Sequence, residues 1–120
     1  MSSNYAIGNT PIQLPIYQSI LSDFIWVLPF VDVDVDGVET PSDLTGYDFE
    51  MVIYEADGTT PAVTLTIGSG ISVVDNTVTV TIDLETFSGW TRGCKYSYFF
   101  RMTTDTGLRK ALFLDTFNLT

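Results

Sequence analysis

The chain has 120 residues and a formal net charge of −10, with 45% hydrophobic residues and a single cysteine. This length suits one domain with one core, and the hydrophobic fraction excludes a disordered tail. The negative charge argues against nucleic acid and against anionic membranes, because both need a basic surface. The charge is also uneven. All five basic residues (Arg92, Lys95, Arg101, Arg109, Lys110) lie between positions 92 and 110, so residues 1–91 carry −13 and residues 92–120 carry 5 − 2 = +3. Two arrangements fit this split: late basic strands pairing with early acidic ones across a sheet, or a dipolar subunit that meets a neighbour.

Cys94 has no second cysteine to pair with. The start, Met1-Ser2-Ser3-Asn4, carries neither the basic region nor the apolar stretch of a signal peptide. The longest apolar run, Phe24 to Val31, has the length of a strand and not of a membrane helix.

Residues 1–20 read as an arm or an edge strand, because Pro11 and Pro15 withdraw ladder donors. Ile12, Leu14, Ile16 and Tyr17 suggest that the arm docks on its own domain or on a neighbour. The remainder, 21–120, reads as one β domain. Asp23 to Val31 predicts a strand with Phe24, Trp26, Leu28 and Phe30 on one face and Ile25, Val27 and Val31 on the other. A strand apolar on both faces is central or is covered by a partner, and Pro29 favours coverage by a partner or by the arm.

Gly46 to Glu55 alternates, with Tyr47, Phe49, Met51 and Ile53 facing inward and Asp48 and Glu50 outward. Ala56-Asp57-Gly58 turns it into Ala62–Ile67, which carries Val63, Leu65 and Ile67 inward. Gly68-Ser69-Gly70 breaks the pattern. Ile71–Val74 and the run Val78, Val80, Ile82, Leu84 form a hairpin around Asp75-Asn76-Thr77. Glu85 to Trp90 predicts a short helical crossover. Tyr96, Tyr98, Phe100 and Met102 line a strong strand, and Thr104-Asp105-Thr106-Gly107 turns it into a last strand with Leu112, Leu114, Phe117 and Leu119. The expected fold is an all-β, antiparallel sandwich of about seven strands with an extended N-terminal arm.

The chain has no histidine, which removes the usual general base and the Ser-His-Asp triad. Gly68-Ser69-Gly70 lacks the lysine and helix of a phosphate loop. No enzyme is expected and no cofactor is implied, apart from calcium. Asp32, Asp34, Asp36 and Asp43 are the candidate metal ligands, since alternate carboxylates before Gly37 match part of a calcium loop. Aspartate at the twelfth position, Pro41 within the loop and the absence of flanking helices count against it. Exposed aromatics (Trp26, Trp90, Tyr54, Phe99) are the candidates for a sugar-stacking platform, which gives an alternative reading as a carbohydrate-binding module, calcium-assisted through the same aspartates.

Asp43-Leu44-Thr45-Gly46-Tyr47, Glu55-Ala56-Asp57-Gly58, Asp83-Leu84-Glu85-Thr86-Phe87 and Gly93-Cys94-Lys95-Tyr96-Ser97-Tyr98 follow one another in an order that resembles the small immunoglobulin-like modules of tailed-bacteriophage structural proteins, including the N-terminal domain of baseplate upper proteins. The resemblance covers about residues 20–120. It departs in two places: baseplate upper proteins continue beyond this module whereas the sequence stops at Thr120, and Phe99 stands where such modules often carry an acid. The resemblance implies an immunoglobulin-like sandwich and a virion adaptor or decoration subunit, made in the host cytoplasm and bound to capsid, neck, baseplate or fibre proteins. It also implies homo-oligomerisation and carries no catalytic residues. Ile12, Leu14, Ile16, Ile25, Val27 and Phe99 are the candidate interface residues.

Overall fold

The computed structural model describes residues 11–120; the first half of the expected arm, residues 1–10, lies outside the described residues. The chain forms β1 (Ile16–Gln18), β2 (Phe24–Pro29), β3 (Val31–Val33), β4 (Glu39–Pro41), β5 (Asp48–Tyr54), β6 (Pro61–Ile67), β7 (Gly70–Val74), β8 (Thr77–Ile82), a 3₁₀ segment (Leu84–Gly89), β9 (Lys95–Thr103) and β10 (Arg109–Leu119). β3 and β4 make a separate two-stranded ribbon, and the other eight strands join in the order β1-β10-β9-β5-β6-β7-β8-β2.

This corrects the expected antiparallel seven-stranded sandwich. The protein is all-β, but its eight strands form one continuous, mixed, nearly closed barrel-like sheet. Two parallel pairings account for the difference. The chain at 11–18 runs beside β10 in the same direction, with Ile12 opposite Phe113 and Ile16–Gln18 opposite Phe117–Leu119. Gly68-Ser69 then turns the chain so tightly that Thr66 and Ile67 of β6 pair in parallel with Gly70 and Ile71 of β7. A stretch that looks in sequence like a break between strands is the corner that keeps the sheet unbroken.

The walls β10-β9-β5-β6 and β7-β8-β2 face each other across an aromatic core. Inward alternation on β9 buries Tyr96, Tyr98, Phe100 and Met102. From the opposing wall, the Trp26 ring lies 5.0 Å from Phe113, 5.7 Å from Phe100 and 6.2 Å from Tyr98, centroid to centroid. These separations suit aromatic contact, and burial of such rings contributes more stability than any surface pair in the molecule. At the other end Trp90 packs on Phe87 and Tyr96, at 5.1 and 4.7 Å. The expected helical crossover is the 3₁₀ segment, with Phe87 fully buried.

Of the apolar candidates on the last strand, Leu114 is exposed, while its neighbour Phe113 is buried. The register of β10 against β9 shifts between Ala111 and Phe113. A bulge adds one residue to one strand, so every later side chain changes face. Ile67, at the end of β6, is also exposed, because the corner begins there.

Gly70 makes the corner possible. Its φ is +95°, and a Cβ added there would sit 2.6 Å from Leu65 Cδ2 and 3.2 Å from the Thr81 carbonyl oxygen. Gly70→Ala combines left-handed strain with a clash and is expected to destabilise the fold by about 2–3 kcal/mol. Gly58→Ala, at φ +76° but facing open space, is expected to cost only about 1 kcal/mol. Urea midpoints of the two variants, compared at constant m-value, check the difference.

Candidate interaction surface

The candidate residues fall into three groups. Ile12, Leu14 and Ile16 lie on the chain's own sheet. The Ile12 N–H donates to the Leu112 carbonyl at 2.9 Å, and the Leu114 N–H donates to the Ile12 carbonyl at 3.0 Å. The buried Tyr98 hydroxyl donates to the Leu14 carbonyl at 2.6 Å, and Asn118 Nδ2 donates to the Ile16 carbonyl at 3.1 Å. Burial, with Asp115 nearby as a second cause, pushes the Tyr98 phenol well above its ordinary pKa, so it stays a donor. Ile16 packs against the core, while Ile12 and Leu14 keep partly exposed side chains.

Phe99 points outward from the β10-β9-β5-β6 wall. Its ring tilts against Tyr54 at 6.0 Å, and the Arg101 guanidinium lies 5.4 Å above it. Arg101 is opposite Glu50 in the register and forms an ion pair with it. Among the described residues this is where the expected pairing of late basic with early acidic strands occurs.

Ile25 and Val27 form the third group, 64% and 55% exposed on the outward side of β2. The register sets them in rows across three strands. Val27 lies opposite Thr79, which lies opposite Ser72. Pro29 lies opposite Thr77, which lies opposite Val74, and Ile25 lies opposite Thr81. None of these side chains is charged, in a chain carrying fifteen acids and five bases. Val74, 67% exposed, belongs to this face but was absent from the sequence-based set. The alternation Thr77, Thr79, Thr81 signalled an outward β8 face; only the register joins it to Ile25 and Val27. β2 is also the last strand of the sheet, with β8 on one side and no hydrogen-bonded strand on the other among the described residues.

The aspartates proposed as calcium ligands are spread along loops that they shape. Asp32 Oδ1 accepts from the Ser42 hydroxyl at 3.0 Å. Asp34 Oδ1 accepts from the Asp36 and Val38 N–H groups at 2.8 and 2.9 Å, closing the β3–β4 ribbon. Asp43 Oδ1 accepts from the Thr45 hydroxyl and N–H, which hold its carboxyl below the ordinary range. Among the described residues no group of three or more His, Cys, Asp or Glu side chains is placed to hold a metal ion. The four candidate sugar-stacking aromatics are not brought together either. Trp26 and Trp90 pack on the core, and the Tyr54 and Phe99 rings are inclined at 38°. Cys94 is a half-buried free thiol against the core.

The clefts are open. One of about 440 Å³ lies between the β4–β5 loop (Pro41 to Thr45) and Val73, Asp75 and Asn76. A second, of about 430 Å³, lies between β6 and the end of β8. No protein-family model and no curated protein matches the chain.

Asp57 shows how far these loops rely on ionised carboxylates. It accepts from the Thr60 hydroxyl at 2.5 Å, the Thr60 N–H at 2.8 Å and the Thr59 N–H at 2.9 Å. These bonds, the Thr60 hydroxyl first, lower its pKa to about 2 from 3.8. Because the folded value lies below the unfolded one, the stabilisation is present above the unfolded value and is lost as pH falls through the folded one. The stability difference between wild type and Asp57→Ala should therefore be constant above about pH 5 and close toward about pH 2. Urea titrations at several pH values check this, and a carboxyl carbon NMR titration of Asp57 reads the midpoint.

Proposed function

We propose that the chain is a non-enzymatic structural subunit of a tailed-bacteriophage virion, docking against neighbouring virion proteins and against copies of itself. The observation that carries the docking part is the uncharged outward face of β2-β8-β7. Three strands present only isoleucine, valine, proline, serine and threonine outward. Large apolar side chains grouped on such a face are typical of a contact that desolvates it. Acidic surface elsewhere repels other copies of a −10 chain, whereas this face brings no like charges together.

The virion part rests on the order of the turn and strand motifs from Asp43 to Tyr98, which resembles phage structural modules. The absence of histidine from the chain and the openness of the clefts agree with a role without catalysis. The sugar-binding alternative draws no support from rings packed inward or inclined to each other.

Quantitative mass spectrometry of gradient-purified particles from the source tests the proposal. A fixed ratio to the major capsid protein is expected. The double variant Ile25→Lys with Val27→Lys should keep its melting temperature, because both side chains face outward, while its incorporation falls about tenfold or more, since burial of unpaired charge is costly. Absence of the wild-type chain from particles, or undiminished incorporation of the variant, would overturn it.

A further inference from the structure

Among the described residues the sheet has a gap that no strand fills. β6 runs from Pro61 to Ile67, but only Thr66 and Ile67 pair with β7. On that side, residues 61–65 have no strand partner among the described residues. Across the gap, β7 pairs with β8 over Thr77–Val80, and among the described residues no strand pairs with Thr81 and Ile82 on that side. The open cleft of about 430 Å³ coincides with these stretches. Val63, Thr64 and Leu65 line one side, Thr81, Ile82, Asp83 and Thr86 the other, and Ser69 and Gly70 close one end.

Backbone N–H and C=O groups along a strand edge are obligatory hydrogen-bonding groups, and an added strand satisfies the whole row where a compact ligand reaches only part of it. The side chains narrow the chemistry. Leu65 and Ile82 are buried under the slot, and threonine, serine and valine form its rim. Asp83 is the one charged residue in the lining, and its carboxylate makes no capping bond to the 3₁₀ segment that follows it. That role falls to Asp23, whose Oδ1 accepts from the Leu84 N–H at 2.8 Å. Asp83 lines the slot without a capping bond to hold its carboxylate.

We propose that the slot between β6 and the end of β8 takes an extended peptide segment of another protein by strand addition. The segment is rich in threonine and valine and carries a lysine or arginine that meets Asp83. This slot shares Thr81 with the end of the β2-β8-β7 face but is otherwise built from β6 and residues 82–86, and the inference holds whether or not the chain is part of a virion.

The test uses the full chain, isotope-labelled, and two blocked hexapeptides of alternating threonine and valine, one with a central lysine and one with glutamate in its place. The lysine peptide is expected to give saturable amide shifts and slowed hydrogen exchange confined to residues 61–65 and 81–83. It should bind about threefold or more tightly than the glutamate peptide, the scale of one partly exposed ion pair, and Asp83→Asn should remove that preference. No saturable change up to about millimolar peptide, or changes centred on β2, would overturn the inference. These outcomes are independent of whether the chain is found in particles.

Discussion

The chain has to turn within two residues, Gly68 and Ser69, and still keep β6 and β7 hydrogen-bonded as a parallel pair. That constraint falls on Gly70, whose positive φ and contact with Leu65 leave no room for a side chain. Once β7 leaves β6 at this angle, the β7-β8-β2 wall stands opposite β10-β9-β5 and must be held there by what fills the space between. Trp26, Phe24 and Leu28 from one wall and Tyr98, Phe100, Phe113 and Phe117 from the other do so. The same corner produces both surface features with functional meaning. It turns the uncharged side of β2-β8-β7 outward, and among the described residues it leaves positions 61–65 of β6 without a strand on that side.

The arrangement of charge follows a second logic. Acids cluster in loops, where Asp34, Asp43 and Asp57 each accept hydrogen bonds from backbone or hydroxyl groups a few residues away. Such local bonds shape tight connections that would otherwise leave backbone donors unpaired. Glu50 is engaged by Arg101 on the neighbouring strand of the same wall. The outward face of β2-β8-β7 is kept free of charge, so a −10 protein retains one broad surface on which another molecule can be desolvated.

Much of the fold was legible because it is written in period-two alternation. β5 and β9 show it most clearly, and the inward rows Phe49, Met51, Ile53 and Tyr96, Tyr98, Phe100, Met102 are buried, with Val52 buried as well. The β7–β8 hairpin, the 3₁₀ crossover and the two-sided apolar character of β2 were visible for the same local reason. The remainder depends on contacts distant in sequence. Nothing near Ile12 reveals that it will lie parallel to Phe113, and nothing near Gly68 shows that β6 and β7 stay bonded through the corner. The bulge before Phe113 is equally silent, since Leu112, Phe113 and Leu114 are all apolar and either parity reads well. Of the surface, Ile25 and Val27 could be found from one strand, whereas Val74 and the threonines of β8 join them only once the register is known. The aspartates of 32–43 have a spacing that suits a cation, while the carboxylates of Asp32, Asp34 and Asp43 accept hydrogen bonds from nearby hydroxyl or backbone groups.

The central claim is that the outward face of β2-β8-β7 is a docking surface. Hydrogen–deuterium exchange compares that wall in the isolated chain and in the chain bound within purified particles. The account predicts protection on assembly concentrated in residues 24–29 and 72–81, with the β5–β6 turn unchanged. Unchanged exchange across that wall, with protection appearing elsewhere on the bound chain, would contradict it.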